Sequence, residues 1–164
     1  SDISTAIFDG ADAIMLSGES AAGKYPIESV NMQRRVIARV ESDDIWKNRP
    51  LDVPNEGITN TPVDHVVQSA CSMARAMDAK AIIVFTETGM TALRLSRQRP
   101  DIPILALTPT SSNARFLMLS KNIYTAVLNP KEFKEHEVNI KAMEILKEKN
   151  LMVNKGDVVV AVAG

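Results

Sequence analysis

The sequence predicts an α/β protein in which a mainly parallel sheet lies between two layers of helices. Four short apolar runs, at 81–85, 104–107, 124–128 and 158–163, have the length of strands. Helix-length segments separate them, as expected when crossover helices join parallel strands. Because the runs are apolar on both faces, helices must cover both faces of the sheet. We therefore expect a three-layer αβα domain from about residue 61 to residue 164.

The first 41 residues predict a separate α/β repeat. Residues 1–8 carry apolar positions at helical spacing, and Gly10 is placed to end that helix in the left-handed conformation. Residues 13–16 are an apolar run that predicts a buried strand. A loop of small residues then leads to Pro26, because proline is favoured at a first helical position. The helix that it opens extends to about Glu41.

Residues 42–60 predict a linker, since periodicity fails there and Asp, Asn, Pro and Gly dominate around the lone Trp46. Thr61 then caps a helix that has Pro62 at its first position and Asp64 in its first turn. Its apolar stripe comprises Val63, Val66, Val67, Ala70, Cys71 and Ala74. Further helices are expected near 91–97, 111–119 and 134–149.

Composition and charge exclude several classes of partner. The chain is 45% hydrophobic and 24% charged, which is typical of a globular domain. Its formal charge of −1 leaves no excess of positive charge to neutralise nucleic acid or an anionic membrane surface. The apolar runs are far shorter than the roughly 20 residues that span a bilayer. We expect neither nucleic acid nor membrane partners, and the single Cys71, a small buried hydrophobe, suits a cytoplasmic location.

The two termini of the sequence, and a segment that matches a known motif incompletely, also need an interpretation. The sequence starts inside an apparent helix without methionine and stops directly after an apolar run, so we expect an excised piece of a longer protein. Residues 18–25 match the phosphate-binding loop G-x-x-x-x-G-K-[ST] until Tyr25, which cannot replace the magnesium-binding hydroxyl. Pro26 also removes a backbone N–H that such a loop would need. We therefore expect no nucleotide-hydrolysing loop.

The same residues have a closer counterpart. The segment 15–26, M-L-S-G-E-S-A-A-G-K-Y-P, resembles the pyruvate kinase segment M-L-S-G-E-T-A-x-G-x-Y-P, and residues 9–12, D-G-A-D, resemble that family too. The resemblance implies that residues 1–41 are the last strand and helix of a catalytic (β/α)8 barrel. It places Ser17, Gly18 and Glu19 at the active-site rim, where barrel enzymes gather their catalytic groups. The alternative is that these three residues only shape the turn and cap the next helix.

The resemblance also implies an activity and its cofactors. Pyruvate kinases transfer a phosphoryl group from phosphoenolpyruvate to ADP in glycolysis, giving pyruvate and ATP, with Mg²⁺ or Mn²⁺ and K⁺. The catalytic lysine and the metal ligands of the family lie upstream of Ser1, so we expect this chain alone to be inactive. We expect no cofactor or metal site within it, because His65 and His136 have no partner ligand at metal-binding spacing.

A second motif follows the run at 81–85. The sequence F-T-E-T-G-M-T-A at 85–92 combines hydroxyls, a glycine and a helix start, which together form a plausible phosphate cradle. Capping of the helix by its threonines is the alternative. The motif resembles the T-x-[ST]-G-x-[ST] loop with which pyruvate kinases bind the phosphate of an allosteric sugar phosphate. The candidate effector-binding residues are Thr86, Thr88, Gly89 and Thr91. Met90 stands where some members have a basic residue, so specificity for a sugar bisphosphate is open.

Topology gives an independent reason to expect a ligand near this loop. The resemblance implies a strand order of 3-2-1-4 with a fifth strand missing, and doubly wound sheets bind ligands where the winding direction reverses. The reversal falls between the runs at 81–85 and 158–163. The other half of the effector site would begin just past Gly164, so we expect weak binding of a sugar phosphate or nucleotide effector.

The leading interpretation is the C-terminal regulatory and subunit-assembly domain of a pyruvate kinase, at 61–164, joined by a linker to the barrel remnant. Pyruvate kinases are typically tetramers that use this domain in one interface, so we expect the chain to form a dimer. One alternative is a free-standing sugar phosphate or nucleotide binding module without kinase activity. A second is a purely structural oligomerisation unit.

Overall fold

A computed structural model describes residues 2–47, 61–129, 132, 135–151 and 154–163. The chain divides into two units, residues 1–50 and residues 51–164. The described part of the first unit contains the helices α1 (Asp2–Phe8), α2 (Gly18–Ala21), α3 (Pro26–Glu41) and α4 (Asp44–Lys47). The predicted helices at both ends of the α/β repeat are confirmed, and Gly10 ends the first of them with a φ of +89°.

The strand predicted at 13–16 is wrong. These residues are irregular, and the Met15 side chain is 88% exposed. A hydrogen bond ties the segment to α3, in which Gln33 Nε2 donates to the Ile14 carbonyl oxygen at 3.2 Å. A strand needs a neighbour to complete its ladder of backbone hydrogen bonds. No other strand occurs among the described residues of this unit, so an apolar run of strand length stays irregular.

Part of the predicted linker is helical. Residues 44–47 form α4, and the Trp46 side chain is 5% exposed. The Trp46 ring packs edge-on against the ring of Phe8, with 5.5 Å between ring centroids and 74° between ring planes. This geometry is favourable for aromatic pairs. The contact between Trp46 and Phe8 holds the first residues of the expected linker against the first unit. The rest of that linker, residues 48–60, lies outside the described residues.

The second unit has the predicted αβα architecture. Its described helices are α5 (Pro62–Ala76), α6 (Met90–Arg97), α7 (Ser111–Leu117) and α8 (Glu135–Glu148). Its described strands are β1 (Ala81–Phe85), β2 (Ile104–Thr108), β3 (Ile123–Val127) and β4 (Val159–Ala163). The strands pair in parallel in the order β3-β2-β1-β4. The sequence-based prediction of fold class and strand order is therefore confirmed.

The core lies on both faces of this sheet. On one face, Ile82 and Val84 of β1 belong to a buried cluster with residues of α5, α6 and α7. On the other face, Ala81 and Ile83 of the same strand pack with residues of α8, including the fully buried Leu146. Burying one such leucine side chain stabilises the fold by about 2 kcal/mol. Alternate residues of one strand therefore hold the two helical layers together.

The predicted apolar stripe of α5 is only partly buried. Val67, Ala70 and Ala74 face the sheet, whereas Val63 and Val66 are exposed. Val66 and Ala70 line a groove of about 430 Å³ between α5 and β4. The outer side of α5 and the edge strand β4 thus leave apolar surface accessible.

A polar bridge holds the beginning of α5 against α6. The Asp64 carboxylate accepts hydrogen bonds from the Thr61 backbone N–H at 3.0 Å and from its hydroxyl at 2.7 Å. Arg94 of α6 donates from Nη1 to the Thr61 hydroxyl at 3.1 Å and lies 3.5 Å from an Asp64 carboxylate oxygen. Both charged side chains are largely buried, so solvent screens their attraction less than at the surface. The bridge therefore combines a helix cap with an ion pair between two helices.

We predict that Asp64→Ala lowers the free energy of unfolding of the second unit by about 1 to 2 kcal/mol, because it removes a helix cap and leaves Arg94 without its counter-ion. Urea denaturation followed by circular dichroism measures this change. The matched control is Glu144→Ala, which breaks the exposed pair between Lys141 and Glu144 and is expected to cost about 0.5 kcal/mol or less. Equal effects of the two variants would contradict the importance of the bridge.

Candidate functional site

The loop after β1 lies where the winding of the sheet reverses. The chain passes from β1 to its neighbour β2 on one side, whereas β4 lies on the other side of β1. Phe85 at the end of β1 is paired with Ala163 at the end of β4 and with Leu107 of β2. Residues 86–91, named here the threonine loop, therefore begin at the carboxyl edge of the sheet, where doubly wound folds bind ligands.

Thr86 anchors the threonine loop to the sheet. Its backbone N–H donates to the Leu107 carbonyl oxygen at 3.0 Å, and its side chain is 4% exposed. Its hydroxyl oxygen accepts a hydrogen bond from the Gly89 backbone N–H at 3.0 Å. The loop therefore turns back on itself immediately after the strand, and the Gly89 N–H points at a protein hydroxyl.

Gly89 is required by two constraints. Its φ of +90° is a conformation that residues with side chains rarely adopt. A Cβ atom there would also lie 3.1 to 3.3 Å from the Leu117 side chain of α7. Gly89 is the N-cap of α6, so the absence of a side chain lets the start of α6 approach α7 closely.

The other threonines of the loop differ in exposure. Thr88 is exposed, and its hydroxyl oxygen lies 3.5 Å from the Met90 backbone nitrogen, at the outer limit of a hydrogen bond. Thr91 is buried in the first turn of α6. The backbone N–H groups of such a first turn have no partner within the helix and favour an anion. The structure therefore brings Thr86, Thr88, Gly89 and Thr91 together around one helix start.

The loop after β2 supports the threonine loop. Asn113 donates from Nδ2 to the Glu87 carbonyl oxygen at 2.7 Å. Thr110 is the N-cap of α7, and its hydroxyl accepts from the Asn113 backbone N–H at 3.4 Å. Sequence reasoning missed Asn113. Its role depends on the two loops meeting at one edge of the sheet, which no local motif reveals.

The predicted rim residues form a second polar cluster in the first unit. Ser17 precedes α2, Gly18 and Glu19 lie in its first turn, and all three are exposed. The Glu19 carboxylate accepts a hydrogen bond from the Ser17 N–H at 3.1 Å. Hydrogen bonds from the backbone N–H groups of Glu19 itself and Ser17 hold the pKa of the Glu19 carboxyl below its ordinary value. The cluster therefore shapes a turn and presents a charged carboxylate to solvent.

Other reactive groups form no comparable arrangement. Among the residues that the structure describes, no group of three or more His, Cys, Asp or Glu side chains is placed to hold a metal ion. Cys71 is half-buried beside a cavity of about 150 Å³, and burial raises the pKa of its thiol to about 11. No helix in the described ranges is long and apolar enough to cross a bilayer.

Comparison with known proteins identifies the family. Residues 1–30 match the family described as "Pyruvate kinase, barrel domain", and residues 64–164 match "Pyruvate kinase, alpha/beta domain". The chain is 44% identical over 131 residues to a pyruvate kinase from Agrobacterium vitis, in a match that covers 79% of the chain and 27% of that protein. It is 37% identical over its whole length to the pyruvate kinase of Clostridium acetobutylicum, of which it covers 34%.

Solved structures agree with these sequence matches. The crystal structure of Cryptosporidium parvum pyruvate kinase has a TM-score of 0.81 and 33% identity to the chain, and it covers 99% of the chain. The chain spans about a third of the length of these relatives. Because the family of pyruvate kinase α/β domains matches residues 64–164, the chain belongs to the pyruvate kinase family. It comprises the end of the barrel domain and the α/β domain.

Proposed function

We propose that this chain is the allosteric and subunit-assembly portion of a pyruvate kinase, with a remnant of the catalytic barrel. The observation that carries the proposal is the match of both family domains in their order along one chain. The parent enzyme would transfer a phosphoryl group from phosphoenolpyruvate to ADP in glycolysis, in the cytoplasm. A free-standing sugar phosphate or nucleotide binding module is not favoured, because such a module would not need the barrel segment.

The catalytic contribution of this chain is confined to one edge of the active site. Phosphoryl transfer depends on divalent metal ions and cationic side chains that neutralise charge on the transferring group. The described residues hold no cluster suited to a metal, and Glu19 adds negative charge at the rim. Mg²⁺ or Mn²⁺ and K⁺ would therefore bind to other parts of the parent enzyme, while Ser17, Gly18 and Glu19 would shape the border of its cleft.

We predict that the purified chain does not convert phosphoenolpyruvate and ADP to pyruvate in the presence of Mg²⁺ and K⁺. A coupled assay that follows NADH oxidation by lactate dehydrogenase measures pyruvate formation. The control is the Glu19→Gln variant, which keeps the shape of the side chain and removes its charge. Turnover that follows the chain through purification and falls in this variant would contradict the prediction, whereas turnover equal in both preparations indicates a contaminant.

The regulatory contribution would come from the threonine loop. The start of α6 offers backbone N–H groups and the positive end of a helix dipole, and Thr88 adds an exposed hydroxyl. These groups suit a phosphate rather than an apolar ligand. Two features limit the affinity: Glu87 places an exposed carboxylate in the loop, and the nearby Arg94 is already engaged by Asp64. We therefore propose weak binding of a phosphate-bearing effector, either a sugar phosphate or a nucleotide.

We predict that fructose 1,6-bisphosphate binds the chain with a Kd in the roughly millimolar range and shifts the amide resonances of Gly89, Met90 and Thr91. Thr88→Val should weaken this binding by about tenfold, because it removes one hydrogen bond to a charged group. Titration followed by ¹⁵N NMR measures both effects. Ser112→Ala, an exposed hydroxyl in the first turn of α7, is the matched control and should leave the Kd unchanged. Tight binding in calorimetry, or equal loss in both variants, would contradict the proposal.

Self-association is the third part of the proposal. The groove between α5 and β4 is lined mostly by apolar side chains, and Met73 beside it is half exposed. β4 also lies at the edge of the described sheet, so its outer backbone groups are open to another strand. A second copy of the chain would cover both surfaces in a dimer, and the parent would use the same face in a tetramer.

We predict that the chain is dimeric at concentrations of roughly 100 µM, since burial of apolar surface drives such association. Light scattering coupled to size exclusion measures the mass. Met73→Lys places a charge beside the groove and should shift the equilibrium to monomer, whereas the same substitution at Met118, a more exposed methionine beyond α7, should not. A monomeric wild-type chain at this concentration would contradict the predicted dimer.

A further inference from the structure

A histidine lines the groove between α5 and β4 through which self-association is proposed. That histidine is His65, in the first turns of α5, and its side chain is exposed. The described residues that line the groove with it are Val66, Ser69, Ala70 and Met73 of α5 and residues 160–163 of β4. Their side chains have no charge to gain or lose near neutral pH, whereas histidine titrates in that range. The charge of the described lining therefore depends on one imidazole.

Helical spacing places His65 where a molecule in the groove would cover it. His65, Ser69 and Met73 follow one another at intervals of four residues, so they form one row along the surface of α5. All three side chains are exposed in the free chain, and all three line the groove. A partner that lies along this row therefore removes His65 from water at one end of the groove and Met73 at the other.

The described lining offers a protonated His65 no carboxylate. The groove residues of β4, at 160–163, are all valine or alanine. On α5, the carboxylate of the adjacent Asp64 accepts two hydrogen bonds from Thr61 and pairs with Arg94 of α6 at 3.5 Å. Asp64 is thus engaged on the side of α5 that faces α6. A proton on His65 would accordingly give this apolar lining a positive charge.

A second copy of the chain suits the groove only while the groove is uncharged. In a two-fold dimer, a surface patch of one copy lies against the same patch of the other. A neutral apolar patch meets itself without repulsion. A patch with one positive charge meets a like charge, and both charges lose the water that solvated them. Protonation of His65 would therefore oppose association in both copies at once.

We propose that His65 makes the self-association of this chain dependent on pH. The neutral imidazole is compatible with the apolar interface, whereas burial there disfavours the charged imidazolium. The dimer is therefore most stable at a pH where histidine is neutral, and it weakens as the pH falls through the range in which histidine gains a proton. The inference rests on the proposed self-association through this groove and adds its regulation.

The two-fold symmetry makes the expected pH dependence steep. Each dimer contains two copies of His65, so its dissociation at low pH takes up two protons. A histidine that titrates near pH 6.5 is charged in about tenfold excess at about pH 5.5. If the charged form is excluded from both sites, the Kd of the dimer rises by up to about a hundredfold between about pH 7.5 and about pH 5.5. Other groups contribute little in this interval, since ordinary carboxyls titrate near pH 4 and burial raises the pKa of the Cys71 thiol to about 11.

The test is sedimentation equilibrium of the chain at about pH 7.5 and about pH 5.5, at constant ionic strength, with circular dichroism at each pH to verify folding. We expect the wild-type Kd to rise about ten- to hundredfold at the lower pH. His65→Gln stays neutral, and its two Kd values should agree within about threefold. His136→Gln removes the other histidine of the sequence, in α8 on the opposite face of the sheet, and should keep the wild-type pH dependence.

A permanent charge provides a test that needs no change of pH. His65→Lys should be monomeric at neutral pH, at concentrations where the wild type and His65→Gln are dimers. Dimerisation of His65→Lys with the wild-type Kd would overturn the proposal, even if the chain unfolds at the lower pH.

The remaining outcomes separate this proposal from the proposed function. If the wild type dimerises with the same Kd at both pH values, self-association stands and the role of His65 is overturned. A pH dependence that persists in His65→Gln has the same consequence. If the wild type is monomeric at both pH values, the proposed self-association fails and this inference fails with it.

Discussion

The burial of β1 on both faces is the constraint on which the second unit depends. All the side chains from Ala81 to Val84 are buried, and alternate residues belong to the cores on opposite faces. Such a strand requires a helical layer on each side, and parallel neighbours then require crossover connections. The carboxyl ends of β1, β2 and β4 consequently meet at one edge of the sheet. The candidate effector site exists because the loops after β1 and β2 start from that edge.

Close packing between α6 and α7 then determines the shape of the site. Gly89 lets the start of α6 approach Leu117, and Asn113 holds the carbonyl group of Glu87 from the other side. The loop is thereby fixed at both ends of its turn, and its hydroxyls are held near the backbone donors of α6. Fixed donors that converge on one point are what a phosphate group recognises. The bridge from Asp64 to Arg94 adds a polar link from the same helix to the first residues of α5.

The first unit shows the opposite case, in which a local pattern has no tertiary support. Residues 13–16 have the composition of a buried barrel strand, and the family match places them in the barrel domain. Large apolar side chains such as those of Met15, Ile27 and Val30 are exposed here. Each strand of a closed barrel is paired on both sides and covered by helices. Among the described residues of this unit the segment has no such neighbours, so it has the sequence of a strand but no hydrogen-bonding ladder.

The sequence by itself determined the α/β class, the limits of the four strands of the second unit to within one residue, the start of α5 at Pro62 and the position of the threonine loop. These features follow from local composition, periodicity and turn chemistry, together with a family motif. Only the tertiary structure decided that Trp46 packs on Phe8, that Asn113 supports the Glu87 backbone and that Gly89 lies against Leu117. Each of these depends on residues distant in sequence or on the register of two strands, which no local pattern encodes.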